Sequence, residues 1–387
     1  MMKRAGMVLV VFVLASTVYW RMVRPQPEQR ALSANLQVFP DTSATGGEFA
    51  RAIGPYRWVF PRDHGAHPEY QTEWWYYTGN LQTNDGRRFG YQFTVFRRAI
   101  TPVVLESPSE WRTNQMFMAH LTITDVTADA FYQFQRLSRG GAGLAGATAN
   151  PRYRVWLEDW QVKALDADAT HMYLSARDGN VALDLTLEQI KPPALQGEDG
   201  LSPKSNAVGN ASYYYSLSRL LTRGKIIIGD KTYQVEGTTW MDHEFGTSAL
   251  GSNAQGWDWF GLHLDDGRDL MLGRIRLQGG GYEPVFGGLL VERDGKTRRI
   301  SADEFSIEVL DTWRSPHSGA VYPARWLIAV ALGEETLTFQ LIPLVADQEL
   351  VEGAIIYWEG AVQITGDVTG YGYAELTGYF SPMQGRF

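Results

Sequence analysis

Thr238-Thr-Trp-Met-Asp-His-Glu-Phe-Gly246 places two carboxylates and an imidazole, Asp242, His243 and Glu244, on three successive positions. In an extended backbone side chains alternate, so Trp240, Asp242 and Glu244 share one face and Met241, His243 and Phe245 share the other. Two carboxylates close together in an apolar cavity push one pKa upward, which leaves a protonated carboxyl able to act as a general acid near neutral pH. A second reading has Asp242 and Glu244 paired with arginines or capping exposed turn amides. Just downstream, Gln255-Gly-Trp-Asp-Trp-Phe-Gly261 puts Trp257 and Trp259 on one face and Asp258 on the other.

A second aromatic run with an acid, HPEYQTEWWYYTGNL from His67 to Leu81, sets Glu73, Trp75 and Tyr77 on one side and Trp74 and Tyr76 on the other. Both faces are aromatic, which predicts a strand covered on both sides. A carboxylate on such a face is unfavourable unless it is paired or serves a ligand. Asp63-His-Gly-Ala-His67-Pro-Glu69 brings two histidines near carboxylates, and His120 would supply a distant third ligand for a divalent metal. The alternative is a polar loop whose histidines bond neighbouring backbone. Third and fourth ligands are not evident locally, so no tightly held metal is expected.

Other motifs fail on context. Gly141-Ala-Gly143-Leu-Ala-Gly146 spells G-x-G-x-x-G, but Ala-Thr-Ala-Asn-Pro151 leads into another strand instead of a helix, so no dinucleotide cofactor is expected. Gly295-Lys-Thr297 has Leu290 where a P-loop needs its first glycine and reads as a hairpin turn. The sequence has no G-x-S-x-G elbow.

The elements that must position these residues are strands. The 387 residues carry 40 glycines and 13% aromatics, with Tyr, Trp, Thr and Val recurring in short runs and no long amphipathic helix. Asn84-Asp-Gly86 joins Trp74–Leu81 to Phe89–Arg97 as a hairpin, and Asp178-Gly179, Asp266-Gly267 and Asp294-Gly295 mark further turns. The longest irregular stretch, Lys191–Asn210, is expected to cross a barrel mouth or link layers. Hairpins on both sides of residue 245 predict an all-β chain of two antiparallel barrels or sandwiches, residues 51–245 and 246–387. The formal charge of −8, without a basic stripe, argues against a nucleic-acid partner, and zero cysteines exclude disulfides and thiolate chemistry.

At the N-terminus, Lys3-Arg4 precedes an apolar run from Met7 to Trp20, shorter than the ~20 residues of a comfortable span but suited to a signal sequence. Residues 1–30 are therefore expected to act as a signal peptide or an uncleaved signal anchor, and 31–50 as a polar linker. An exported, periplasmic protein follows, with residues 7–20 as its tether if the segment is retained.

In order along the chain, HPEYQTEWWYYTGNL, GLAGA with VWLEDW, ASYYYS, TTWMDHEFG, GWDWFGLHLDDGRDLM and YWEGAVQITG with GYAELTGY resemble the AttH-type, carotenoid 1,2-hydratase-related lipocalin-like superfamily. The resemblance covers nearly the whole body beyond the linker. It implies two consecutive lipocalin-like β-barrels and a site for a hydrophobic ligand: isoprenoid, carotenoid-like or lipid. Hydratases of this kind protonate and hydrate a terminal isoprenoid double bond without a redox cofactor. Many bacterial members stand beside ABC export systems, which makes transporter membrane components a candidate partner.

On that resemblance Asp242 is the proton donor, with Glu244 or His243 positioning water. Glu73, Trp75, Tyr77, Tyr214, Trp240, Trp257 and Trp259 are candidates to bind the ligand, because ring faces give dry contact area and stabilise a carbocation. Three functions compete. One is a cofactor-independent hydratase; another is a non-catalytic periplasmic lipid-binding accessory of an exporter. The third, a carbohydrate-acting β-sandwich, rests only on the mix of tryptophans and carboxylates.

Overall fold

The computed structural model describes residues 48–103, 107–247, 250–353 and 355–383. The expected signal or anchor at residues 1–30 and nearly all of the 31–50 linker lie outside the described residues. The chain is all-β and forms two consecutive lipocalin-like antiparallel barrels, one of them nearly closed. Strands between Thr72 and Gly246 make the first sheet and strands between Ala254 and Leu376 the second.

Alternation decides what each strand buries. Thr72–Gln82 pairs antiparallel with Arg88–Ala99 on one side and with Lys231–Gly246 on the other. In that register Trp75 lies opposite His243 and Tyr76 opposite Asp242. Trp75, Tyr77, Phe93, Trp160 and Met241 pack inside the first barrel. Phe260, Trp326, Phe339 and Trp358 fill the second. A third cluster lies between them, where Tyr76, Tyr214 and Trp240 from the first barrel meet Trp259, Met271 and Tyr373 from the second. The central strands of the first barrel are thus buried on both faces, one by their own barrel and one by its neighbour. At Gly90 the barrels approach so closely that a Cβ would come within 2.7 Å of the Ala361 methyl.

Lys191–Asn210 was expected to be irregular. Instead it lays two short strands, Ala194–Leu195 and Leu201–Pro203, along Ala211–Ile228 and links the barrels. Lys191 Nζ donates to Asp269 Oδ2 of the second barrel at 2.7 Å. Asp269 also accepts from Arg219 Nε at 2.8 Å and Ser218 Oγ at 3.0 Å. One fully buried carboxylate of the second barrel is therefore held by three donors of the first. Gly141–Gly143 is a single 3-10 turn followed by the strand Ala145–Thr148, so the G-x-G-x-x-G run lacks the helix a dinucleotide needs. The strand Ala130–Arg139 is absent from the sequence reading because nearly all its side chains are only partly buried and carry little face contrast.

Asp269→Ala would leave Lys191 and Arg219 without their shared counter-charge. Removing one partner of a buried ion pair destabilises by about 3–5 kcal/mol. Urea unfolding of Asp269→Ala is expected to show a loss of that order, and a loss below about 1 kcal/mol would remove this node from the account of barrel docking.

Candidate active site

The seam between the barrels opens into a cleft of about 770 Å³, counting the space open to solvent at its mouth. One wall comes from the first barrel, with Trp74 and Tyr76 from Thr72–Gln82, Phe96 from Arg88–Ala99, Tyr214 from Ala211–Ile228, and Asp242 and Glu244 from Lys231–Gly246. The facing wall comes from the second, with Trp257 and Trp259, Ile275, Phe286, Tyr357 and Glu375. Lys204 enters from the linking segment. A largely aromatic cleft with a few convergent polar groups has the make-up of a small-molecule site.

Asp242 is buried and receives three hydrogen bonds: Ser216 Oγ donates at 2.5 Å and Trp240 Nε1 at 2.7 Å to Oδ1, and Tyr214 Oη at 2.6 Å to Oδ2. Burial raises its pKa, the three donors lower it and the charge of Glu244 raises it again, with the balance at about 7. A substantial fraction of Asp242 is therefore protonated at neutral pH, as a general acid requires. Glu244 accepts from Ser212 Oγ at 2.5 Å and pairs with Lys204 Nζ at 2.7 Å. The Lys204 ammonium lies over the rings of Tyr214 and Phe286, which keeps a charged group tolerable in an apolar wall. Trp259 Nε1 donates to Tyr214 Oη at 3.2 Å, tying the second barrel to the acid's own donor.

Of the residues expected from sequence to act, Asp242, Glu244, Tyr214, Trp257 and Trp259 line the cleft, and Trp240 stands behind Asp242 as a donor. Glu73, Trp75, Tyr77 and His243 do not. They point the other way, into the first barrel, because the register that turns Trp74, Tyr76, Asp242 and Glu244 outward turns their neighbours inward. Lys204, Glu375 and Phe286 were missed. Trp74 and Tyr76 were recognised as the opposite face of their strand but not as the wall.

Inside the barrel, Glu73 organises a closed polar network. Its Oε2 accepts from Arg97 Nε at 2.8 Å, and its Oε1 faces both His67 Nδ1 and His243 Nε2 at 2.8 Å. Tyr215 Oη bridges His243 Nδ1 at 3.1 Å and His64 Nδ1 at 2.6 Å. A consistent proton pattern has His243 donating to Glu73, Tyr215 donating to His243, and His64 donating to Tyr215. Burial opposes ionisation of Glu73, but Arg97 and the two histidines hold its pKa well below the usual range. Burial alone would lower the pKa of His67, but its hydrogen bonds to the accepting carboxylates of Asp63 and Glu73 raise it to about 9. Burial holds His64 down at about 3 and lowers His243.

The metal set considered from sequence, His64 and His67 with His120, does not converge: His64 bonds Tyr215, while His120 bonds Tyr357 and Gln135 at the seam. His67, Glu73 and His243 do offer three atoms within 4.8 Å of one another. A cation there would have to displace the His67 proton and sit against the Arg97 guanidinium. Charge is already compensated, so the arrangement is that of a structural strut.

The sequence matches the AttH-like family over residues 51–379. Among solved structures, an assigned AttH from Nitrosomonas europaea is 34% identical, with a TM-score of 0.74 over 86% of this chain and 100% of that one. Kievitone hydratase from Nectria haematococca shares the fold at 17% identity, with a TM-score of 0.63 over 89% of this chain and 98% of that one. A search of curated sequences returned no match.

The strut makes a pH prediction. His67 has a folded pKa of about 9 against an ordinary 6.5, so the stability it contributes is fully present below about pH 6.5 and lost as pH rises through about 9. Thermal melts of wild type and His67→Gln should differ most below about pH 6.5 and converge above about pH 9. A difference independent of pH would mean that His67 is not charged in the fold.

Proposed function

The chain belongs to the AttH-like family, and from that premise and the acid in its cleft we propose that it binds a long apolar ligand between its barrels and adds water to an isoprenoid-like alkene of that ligand. The observation that carries this reading is Asp242, buried among aromatic rings with its pKa raised to about 7. The Asp242 proton passes to the less substituted alkene carbon, and the neighbouring carbon becomes cationic. The ring faces of Trp74, Tyr76, Trp257 and Trp259 surround the cleft where that charge would develop. Water then forms the new C–O bond. No electrons are exchanged, so the reaction needs no redox cofactor. That a kievitone hydratase has this fold supports hydration as the class of reaction. Glu244, held by Lys204, keeps a negative charge near Asp242 and helps hold its proton in place.

The test is incubation of the purified protein with acyclic isoprenoids bearing a terminal trisubstituted double bond, read by mass spectrometry for gain of one water. Asp242→Asn keeps the shape and the hydrogen-bond partners and removes the acid. Turnover should fall by at least ~10²-fold, the low end of what a positioned general acid supplies. Ligand affinity should stay within a few-fold. In the wild type kcat should fall as pH rises above about 7, where Asp242 loses its proton. Binding without turnover, unaffected by Asp242→Asn, would replace this reading with that of a lipid carrier.

A further inference from the structure

The acid accounts for only one of the two protons that move in a hydration. The attacking water must also lose a proton, and among the described residues of the first barrel the carboxylate beside Asp242, Glu244, is occupied by Lys204 and Ser212. The facing wall supplies another. Glu375 lines the cleft from the strand Gly370–Leu376, and Trp257 Nε1 donates to its Oε2 at 2.9 Å, fixing the carboxylate. Its other oxygen has no protein partner among the described contacts.

Directly opposite Glu375 in the antiparallel register, on the neighbouring strand Tyr357–Gly366, stands a second carboxyl, Glu359. Residues paired this way project to the same face with Cβ atoms about 4.5–5.5 Å apart. Glu359 is fully buried; Tyr76 Oη donates to its Oε1 at 2.5 Å, and its Oε2 is buried with no hydrogen-bond partner among the described residues. An orphaned buried oxygen calls for a ligand, and a protonated one calls for an acceptor.

We propose that Glu375 is the catalytic base that takes the proton of the attacking water, and that Glu359, its buried cross-strand neighbour, is a positioning residue that acts on this water through Glu375. The inference rests on the hydration reading above. In the step itself the Asp242 O–H bond breaks and a C–H bond forms at the alkene. The water oxygen then bonds the cationic carbon as one of its O–H bonds breaks towards the Glu375 carboxylate. Alkene plus water gives alcohol, and the enzyme resets when Glu375 returns a proton to solvent and Asp242 regains one.

Electrostatics is consistent with this division. Burial raises Glu375, Trp257 lowers it, and the charges of Asp242 and Glu244 across the cleft raise it again, to about 7. Two facing carboxyls that repel each other share one proton most readily, so a neutral Asp242 favours an ionised Glu375. Burial and the nearby Glu375 charge hold Glu359 well above the usual range despite its Tyr76 bond, so it keeps its proton. The two essential groups then come from different barrels, and the alkene lies between them.

The experiment compares the full chain with Asp242→Asn, Glu375→Gln and Glu359→Gln, in D2O, on an acyclic polyprenyl alkene with a terminal trisubstituted double bond. Mass spectrometry reads deuterium in recovered alkene, which reports reversible protonation, and deuterated alcohol, which reports water capture. Asp242→Asn should lose both. Glu375→Gln should keep the deuterium exchange and lose alcohol by at least ~10²-fold, while Glu359→Gln should lower alcohol by a smaller factor and again spare exchange. A merely structural role for Glu359 would lower both readouts together.

Alcohol formation at the wild-type rate in Glu375→Gln would overturn this inference and leave the hydration reading standing. Absence of both products in the wild type would remove the hydration reading and this inference with it. A probe-free arm uses infrared titration of the carboxyl bands. Asp242→Asn should move the Glu375 midpoint down in pH by removing the facing charge, and an unmoved midpoint would also overturn the pairing. Should Glu375→Gln fail to fold, Glu375→Asp keeps the carboxylate but draws it back from the water by one methylene. It should then lower kcat several-fold with little change in KM, and an unchanged kcat would count against the base.

Discussion

A carboxyl group stays protonated near neutral pH only where water is kept from it, and here that exclusion depends on the docking of one barrel against another. Asp242 sits on the outer face of its own barrel, a position that in an isolated barrel would be wet. The second barrel covers that face with Trp259, Met271 and Tyr373. The raised pKa of Asp242 is therefore a property of the assembled pair and not of the TTWMDHEFG strand. Every polar contact across the seam, from Tyr76 on Glu359 to Arg219 on Asp269, helps hold the acid in its dry setting.

Adjacent residues of one strand meet opposite fates for the same geometric reason. Asp242 faces the cleft and His243 faces the barrel interior, where it is neutral and bonded to Glu73 and Tyr215. The inner network fixes strand register through a charge-compensated set, because a one-residue slip would turn Glu73 out of reach of Arg97. The same slip would turn Asp242 inward. Replacing both members of such a buried pair by apolar groups is often neutral for stability, whereas losing one of them is costly.

Much of this was legible in the sequence. Alternation put Asp242 with Glu244, and Trp257 with Trp259, on shared faces, and both faces of the EWWYY strand were recognised as covered. Period two separates the faces but does not say which one looks into a barrel. That is why Glu73, Trp75 and Tyr77 were assigned to a ligand wall and turned out to be the strut and the core. Lys204 was out of reach, because its position depends on how an irregular segment lies along Ala211–Ile228. Glu375 belongs to a motif that was noticed, GYAELTGY. Nothing local in that motif tells that its face will meet a strand more than a hundred residues earlier.

The location of the site follows from how the interiors are filled. A barrel of this kind can hold a ligand only if its lumen is left open. Here Trp75, Tyr77 and Trp160 close the first lumen, and Trp326 and Trp358 the second. With both interiors packed, the aromatic cleft lies at the seam, and a seam has two independent walls. Each wall can then carry its own carboxyl group without the two being neighbours in sequence or on one strand. Separation across a cleft lets their pKa values be coupled through space while a substrate still fits between them, an arrangement that a single strand carrying both acids could not provide.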